Sequence, residues 1–157
     1  MIKAIATGLA AIVLSVNAAQ AQCPNLSAKP ISGRIELREF FEPDPSTHRV
    51  IAGGSQNLSR CRNNWKGWVS SSPDFQLQYN TTGGTSISIE IQSDMDTVLL
   101  VNDPNGTWHY DDDSGSGLNG KIRFSRARQG RYDIWVGLFK EGRGKLPPVQ
   151  IDVTEED

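Results

Sequence analysis

Apolar and polar residues alternate with a period of two over most of the chain beyond residue 46. Phe75, Leu77 and Tyr79 alternate with Gln76, Gln78 and Asn80, and Ile87, Ile89 and Ile91 alternate with Ser86, Ser88 and Glu90. Successive side chains of a strand point to opposite faces, so each run predicts a strand with one buried face. Thr97 to Asn102 is nearly continuous apolar and predicts a strand covered on both faces. Tyr132, Ile134, Val136 and Leu138 line one face of a later run, with Asp133 and Trp135 on the other. His48–Ala52, Trp108–Tyr110, Ile122–Phe124 and Val149–Val153 complete the series. Turn-forming clusters such as Asp103-Pro104-Asn105-Gly106 separate the runs. Roughly eight or nine short strands at this spacing predict an all-β fold, an antiparallel β-sandwich over residues 47–157.

The beginning of the chain follows another rule. Residues 1–21 carry one early lysine, Lys3, a short apolar run from Ala4 to Val16, and Ala19-Gln20-Ala21. That order is a secretory signal peptide cut after Ala21, and the apolar run is too short for a membrane span. Gln22 before Cys23 does not suit lipidation, where a small residue is wanted. Residues 22–46, with Pro24, Pro30, Pro43 and Pro45, predict an extended N-terminal arm containing one alternating stretch, Gly33 to Arg38. Export to the periplasm or beyond places both cysteines in an oxidising compartment, and the only intramolecular bridge is Cys23–Cys61. It would close a loop of about 37 residues and pin the arm to the body, stabilising by roughly 3–4 kcal/mol.

Composition narrows the function classes. A length of 157 residues fits one domain with a real core, and the 15 Gly and 8 Pro suit many turns. A net charge of −2 lacks the basic excess of a nucleic-acid binder. Two His and two Cys leave little material for a zinc site.

The segment Asp96-Thr97-Val98-Leu99-Leu100-Val101-Asn102-Asp103-Pro104-Asn105-Gly106 resembles the bacterial pre-peptidase C-terminal domain. Asp111-Asp112-Asp113, the loop Ser114 to Asn119 and the run Gly130-Arg131-Tyr132-Asp133-Ile134-Trp135-Val136-Gly137 continue the resemblance. It covers roughly residues 47–153, with its specific motifs in 96–138. It implies a jelly-roll-like β-sandwich without catalysis of its own, binding calcium in some members and extracellular polymers such as collagen in others. Such domains are usually appended to secreted peptidases, whereas this chain is expected to stand alone.

Three places carry candidate chemistry. Asp111, Asp113 and Asn119 offer oxygens on a glycine-bearing loop and are the candidate calcium ligands, although the spacing is not an EF-hand. Trp135, Asp133, Trp65 and Trp68 are the candidate surface for an extracellular or periplasmic protein or polysaccharide, because an aromatic face beside polar groups suits sugar rings and peptides. Packing of Trp65 and Trp68 under the disulfide arm, with Trp135 plugging the second sheet face, is the structural alternative. Asp113-Ser114-Gly115 resembles the nucleophile segment of trypsin-like peptidases, but a serine nucleophile needs a histidine base, and only His48 and His109 are available. The sequence therefore favours a non-catalytic exported binding or accessory module. A hydrolase using Ser114, or an inhibitor presenting a loop from a rigid sandwich, are the other readings.

Overall fold

A computed structural model describes residues 23–144, 146 and 148–156. The leader expected over 1–21 lies outside the described residues. The strands among them are β1 (Gly33–Arg38), β2 (Ser46–Val50), β3 (Gln56–Asn57), β4 (Trp68–Val69), β5 (Phe75–Asn80) and β6 (Ser86–Gln92). They continue with β7 (Thr97–Asn102), β8 (Trp108–Asp111), β9 (Lys121–Phe124), β10 (Gly130–Leu138) and β11 (Val149–Glu156), and one short 3-10 turn spans Leu58–Arg60.

Two sheets of seven and four strands face each other. The smaller has the order β2-β11-β6-β9. The larger is organised by β10, whose first half pairs with β5 and whose second half meets β4, while β7 and then β8 lie along its other side. Gly137 makes the β4 approach possible, because a Cβ there would stand 2.7 Å from the Trp68 carbonyl.

The period-two pattern accounts for the core between the sheets. Phe75, Leu77 and Tyr79 from β5 and Tyr132, Ile134, Val136 and Leu138 from β10 meet Ile87, Ile89 and Ile91 from β6 and Ile151 and Val153 from β11. Each fully buried side chain of this size contributes about 1.5–3 kcal/mol through removal of apolar surface from water.

One pairing departs from the antiparallel expectation. β1 runs parallel to β5, with Gly33 opposite Phe75 and Arg38 opposite Asn80. The segment read as an arm therefore adds a strand to the larger sheet. The chain then crosses to the other layer to form β2 and returns through residues 51–74, so β5 starts at the same end as β1 and a hairpin is not formed.

A second apolar cluster covers part of the outer face of the larger sheet. Leu58, Trp65, Val69, Val98, Leu100 and Trp135 form it, with Leu26, Cys61, Trp108 and Tyr110 packed against them. The Cys23–Cys61 disulfide lies at its edge. This cover corrects the surface expected of the tryptophans. Trp135 does point away from the Tyr132/Ile134/Val136 side, but it is 0% exposed because the disulfide-linked segment lies over it. Trp65 is buried in the same cluster, while Trp68 is half-buried in β4. Among the described residues no helix is long and apolar enough to cross a membrane.

Candidate functional site

The loop after β8 is tied by its own side chains. Asp111 accepts hydrogen bonds from the Ser114 backbone N–H at 2.9 Å, the Ser114 hydroxyl at 2.6 Å and the Lys121 backbone N–H at 2.9 Å. Asn119 is buried at the loop's far end. Its Oδ1 accepts from the Thr97 hydroxyl at 2.9 Å, and its Nδ2 donates to the carbonyls of Ser93 and Ser116 at 2.8 and 2.7 Å. The oxygens of Asp111 and Asn119 are thus committed to protein hydrogens, which fix the loop without an ion. Among the described residues no three His, Cys, Asp or Glu side chains form a group able to hold a metal. The Asp111, Asp113 and Asn119 set does not fit calcium. The Asp96 carboxyl is raised by partial burial and then by the charge of Asp113.

The serine reading fails on the same contacts. The Ser114 hydroxyl donates to Asp111, whereas His48 Nε2 contacts the Ser46 hydroxyl at 3.0 Å and His109 Nε2 contacts Asp103 at 2.9 Å. Neither imidazole is the partner of Ser114, so the general base that a serine nucleophile needs is not in place. Asp103 is raised by partial burial, but hydrogen bonds from His109, Thr107 and Asn105 outweigh this and hold its carboxyl below the ordinary range.

The predicted pair Asp133 and Trp135 divides. Trp135 belongs to the covered cluster. Asp133 is only 2% exposed, yet it lines an open cleft of about 430 Å³ with Asn102, Pro104, Gln129 and Arg131. Its Oδ2 accepts from Arg131 Nε at 3.0 Å.

A feature that the sequence reading missed stands at the end of the sandwich where β1 leads to β2. Phe40 is 79% exposed and has φ of 58°, the left-handed region that a bulky residue seldom enters. Three ties hold it there. Glu39 accepts from the Thr81 hydroxyl at 2.6 Å and from the Thr82 N–H and hydroxyl at 3.0 and 2.9 Å. These bonds, the Thr81 hydroxyl foremost, keep the Glu39 carboxyl below its usual range. Glu155 on β11 accepts the Phe40 N–H. Asp44 accepts the Glu155 N–H at 3.3 Å. Phe41, 6% exposed, anchors the loop in the main core. One side chain of a Phe-Phe pair is therefore buried while the other projects into solvent. Phe40 lines a cleft of about 420 Å³ with Arg38 and Gln129, and a neighbouring cleft of about 850 Å³ shares Thr82 and Gln129 with it and continues to Pro104, Arg126 and Arg128.

No protein-family model matches the chain, and no curated protein matches it. Among solved structures it is similar to the pre-peptidase C-terminal domain of a collagenase from Bacillus anthracis, at 12% identity over 83% of this chain and 99% of that one, with a TM-score of 0.43. It is also similar to PliG of Aeromonas hydrophila, a periplasmic inhibitor of g-type lysozyme, at 12% identity over 79% of this chain and 98% of that one, with a TM-score of 0.40. The first of these is the family that residues 96–138 resemble.

Proposed function

We propose that this protein is a non-catalytic, exported binding module that engages a protein partner through the loop end bearing Phe40, in the manner of an inhibitor. The observation that carries the reading is the constrained display of that side chain. A non-glycine residue in the left-handed region costs on the order of 1–3 kcal/mol and persists only where its surroundings over-determine it. Here Glu39, Glu155 and Asp44 supply the constraint, and the product is an exposed aromatic ring. A loop ordered before it meets its partner loses little entropy on binding, and buried aromatic anchors dominate interface energies. Exposed Arg38 in the Phe40 cleft, with exposed Arg126 and Arg128 in the neighbouring cleft that shares Thr81, Thr82 and Gln129, suit a partner whose apolar pocket is rimmed by carboxylates. The disulfide fits an oxidising, extracytoplasmic compartment.

The test is binding and inhibition of purified secreted hydrolases by the wild-type protein and Phe40→Ser. A goose-type lysozyme, the target named for the Aeromonas hydrophila protein, and a chymotrypsin-like peptidase are the first probes. The expected result is a complex with one of them that Phe40→Ser weakens by about a hundredfold while leaving the melting temperature within a few degrees. Failure to bind either enzyme, or a complex indifferent to Phe40→Ser, overturns the reading.

A further inference from the structure

Beyond the cover formed around Trp135, the outer face of the larger sheet becomes polar. Arg34 of β1, Gln76 of β5, Asp133 of β10, Asn102 of β7 and Trp108 of β8 stand in register across five adjacent strands. Residues paired across a ladder share a face, so these side chains form one row. With neighbouring strands about 4.8 Å apart, the row is about 19 Å long. Glu36, Gln78 and Arg131 make a second row beside it.

Three buried side-chain polar atoms among the described residues have no hydrogen-bond partner: Asn102 Nδ2, Asp133 Oδ1 and Trp135 Nε1. All three sit on this face. Asn102 and Asp133 are directly opposite one another, and Trp135 is the next residue on the same side of β10. A buried polar atom left unpaired costs about 1–3 kcal/mol, so their concentration in one patch is selective. The residues Asn102 and Asp133 are 5% and 2% exposed, and both line the cleft that Arg131 closes on one side. Arg131 forms that wall with a side chain 52% exposed and paired with Asp133 Oδ2.

The chemistry of a fitting group follows from the pair. It must accept a hydrogen bond from the Asn102 amide and donate one to the Asp133 carboxylate, which a hydroxyl does with one atom. Asp133 already has its counter-charge in Arg131, so a cationic ligand gains nothing there. A second cleft of about 240 Å³, lined by Arg34, Glu36, Gln76, Gln78 and Arg131, continues the row with further donors and acceptors. Half-buried Trp108 adds an aromatic surface at the other end. We propose that this row is a binding face for a neutral oligosaccharide chain, whose hydroxyl enters between Asn102 and Asp133 while successive rings extend toward Arg34. The site adjoins the Phe40 end through Pro104 and Gln129 but does not include the Phe40 loop, and it does not depend on the role assigned to that loop.

The experiment is a titration of the isotope-labelled protein with cellotetraose, with maltotetraose and with tetragalacturonate, followed by nuclear magnetic resonance. The Asn102 side-chain amide and Trp135 indole N–H are the reporters. With millimolar cellotetraose or maltotetraose both signals shift saturably, and tetragalacturonate leaves them in place. Asp133→Asn weakens that binding by about tenfold to a hundredfold, the loss expected for a hydrogen bond to a charged group. Arg34→Ala, on an exposed position, shortens the row with a smaller loss, and Phe40→Ser changes nothing. Reporters unmoved by both neutral sugars, or moved equally by the acidic one, overturn the proposal.

Discussion

The backbone N–H of Phe40 donates to both carboxylate oxygens of Glu155, at 3.0 and 2.9 Å, across 115 positions of sequence. The same carboxylate accepts the hydroxyl of buried Tyr79 at 2.7 Å, so one side chain of β11 fixes the exposed loop and a core tyrosine together. Glu155→Ala leaves both donors without this acceptor. It is expected to destabilise by about 1–3 kcal/mol and to speed amide hydrogen exchange at Phe40 above that of the flanking strands. Glu155→Gln keeps an acceptor and loses less. Unchanged exchange at Phe40 in Glu155→Ala would show that the loop is held by Glu39 and Asp44 alone.

Asp74 sets a pH dependence. It is 2% exposed, and its Oδ2 accepts the Val136 N–H at 2.7 Å. Burial pushes its carboxyl up from 3.8 to about 7, against the opposing pull of that hydrogen bond. The folded state therefore binds this proton more tightly than the unfolded chain. The resulting stability is present in full below about pH 4 and is lost as pH rises through about 7, on the order of 4 kcal/mol in all. Asp74→Asn stays neutral and keeps an acceptor for Val136. Urea unfolding between pH 4 and pH 8 is expected to show wild-type stability falling relative to Asp74→Asn; a difference that stays constant or runs the other way removes the assignment.

The bridge between Cys23 and Cys61, 38 residues apart, constrains the unfolded chain by about 4 kcal/mol. The arm has other ties, from Asn25 N–H to the Ser71 carbonyl and from Ile31 N–H to the Pro73 carbonyl, and β1 is paired along its length. Replacing both cysteines by serine should therefore lower the urea midpoint substantially while leaving far-ultraviolet circular dichroism unchanged. A double variant as stable as wild type would contradict the chain-entropy account.

The strands of the core were legible because a half-buried strand writes its period into the sequence, as Ile87, Ile89 and Ile91 do. Periodicity tells which residues share a face, but it is silent about what lies over that face. That is why Trp135 was assigned to the correct side of β10 and wrongly to the surface, since its cover comes from Leu58, Trp65 and the disulfide-linked segment. β3 and β4 have two residues each, too few for any period. The parallel β1–β5 pair rests on where the chain returns after crossing between layers, which composition does not encode. Phe40 was passed over because two adjacent phenylalanines in a proline-rich arm do not reveal a backbone angle. The 111–119 loop stays ambiguous in the sequence because the residue types of a calcium loop are also those of a turn that bonds its own backbone.

Asn119 separates those two uses of the same residues. Its three side-chain hydrogen bonds link the loop to Thr97 on β7 and to the Ser93 carbonyl before it, and it is 3% exposed. Asn119→Ala removes all three and is expected to cost about 2–4 kcal/mol, each lost bond leaving a buried partner unsatisfied. Asn119→Asp is the sharper variant. In the hydrogen-bonded loop it sets a carboxylate against the carbonyls of Ser93 and Ser116, so it should melt no higher than Asn119→Ala. In a calcium loop it would add a charged ligand and tighten the site. Melting both proteins with millimolar calcium or with a chelator decides between them, because an ion at about 100 times its Kd adds about 2.7 kcal/mol of stability. The expected result is no calcium-dependent shift in either protein; a calcium-dependent rescue of Asn119→Asp would return the loop to metal binding.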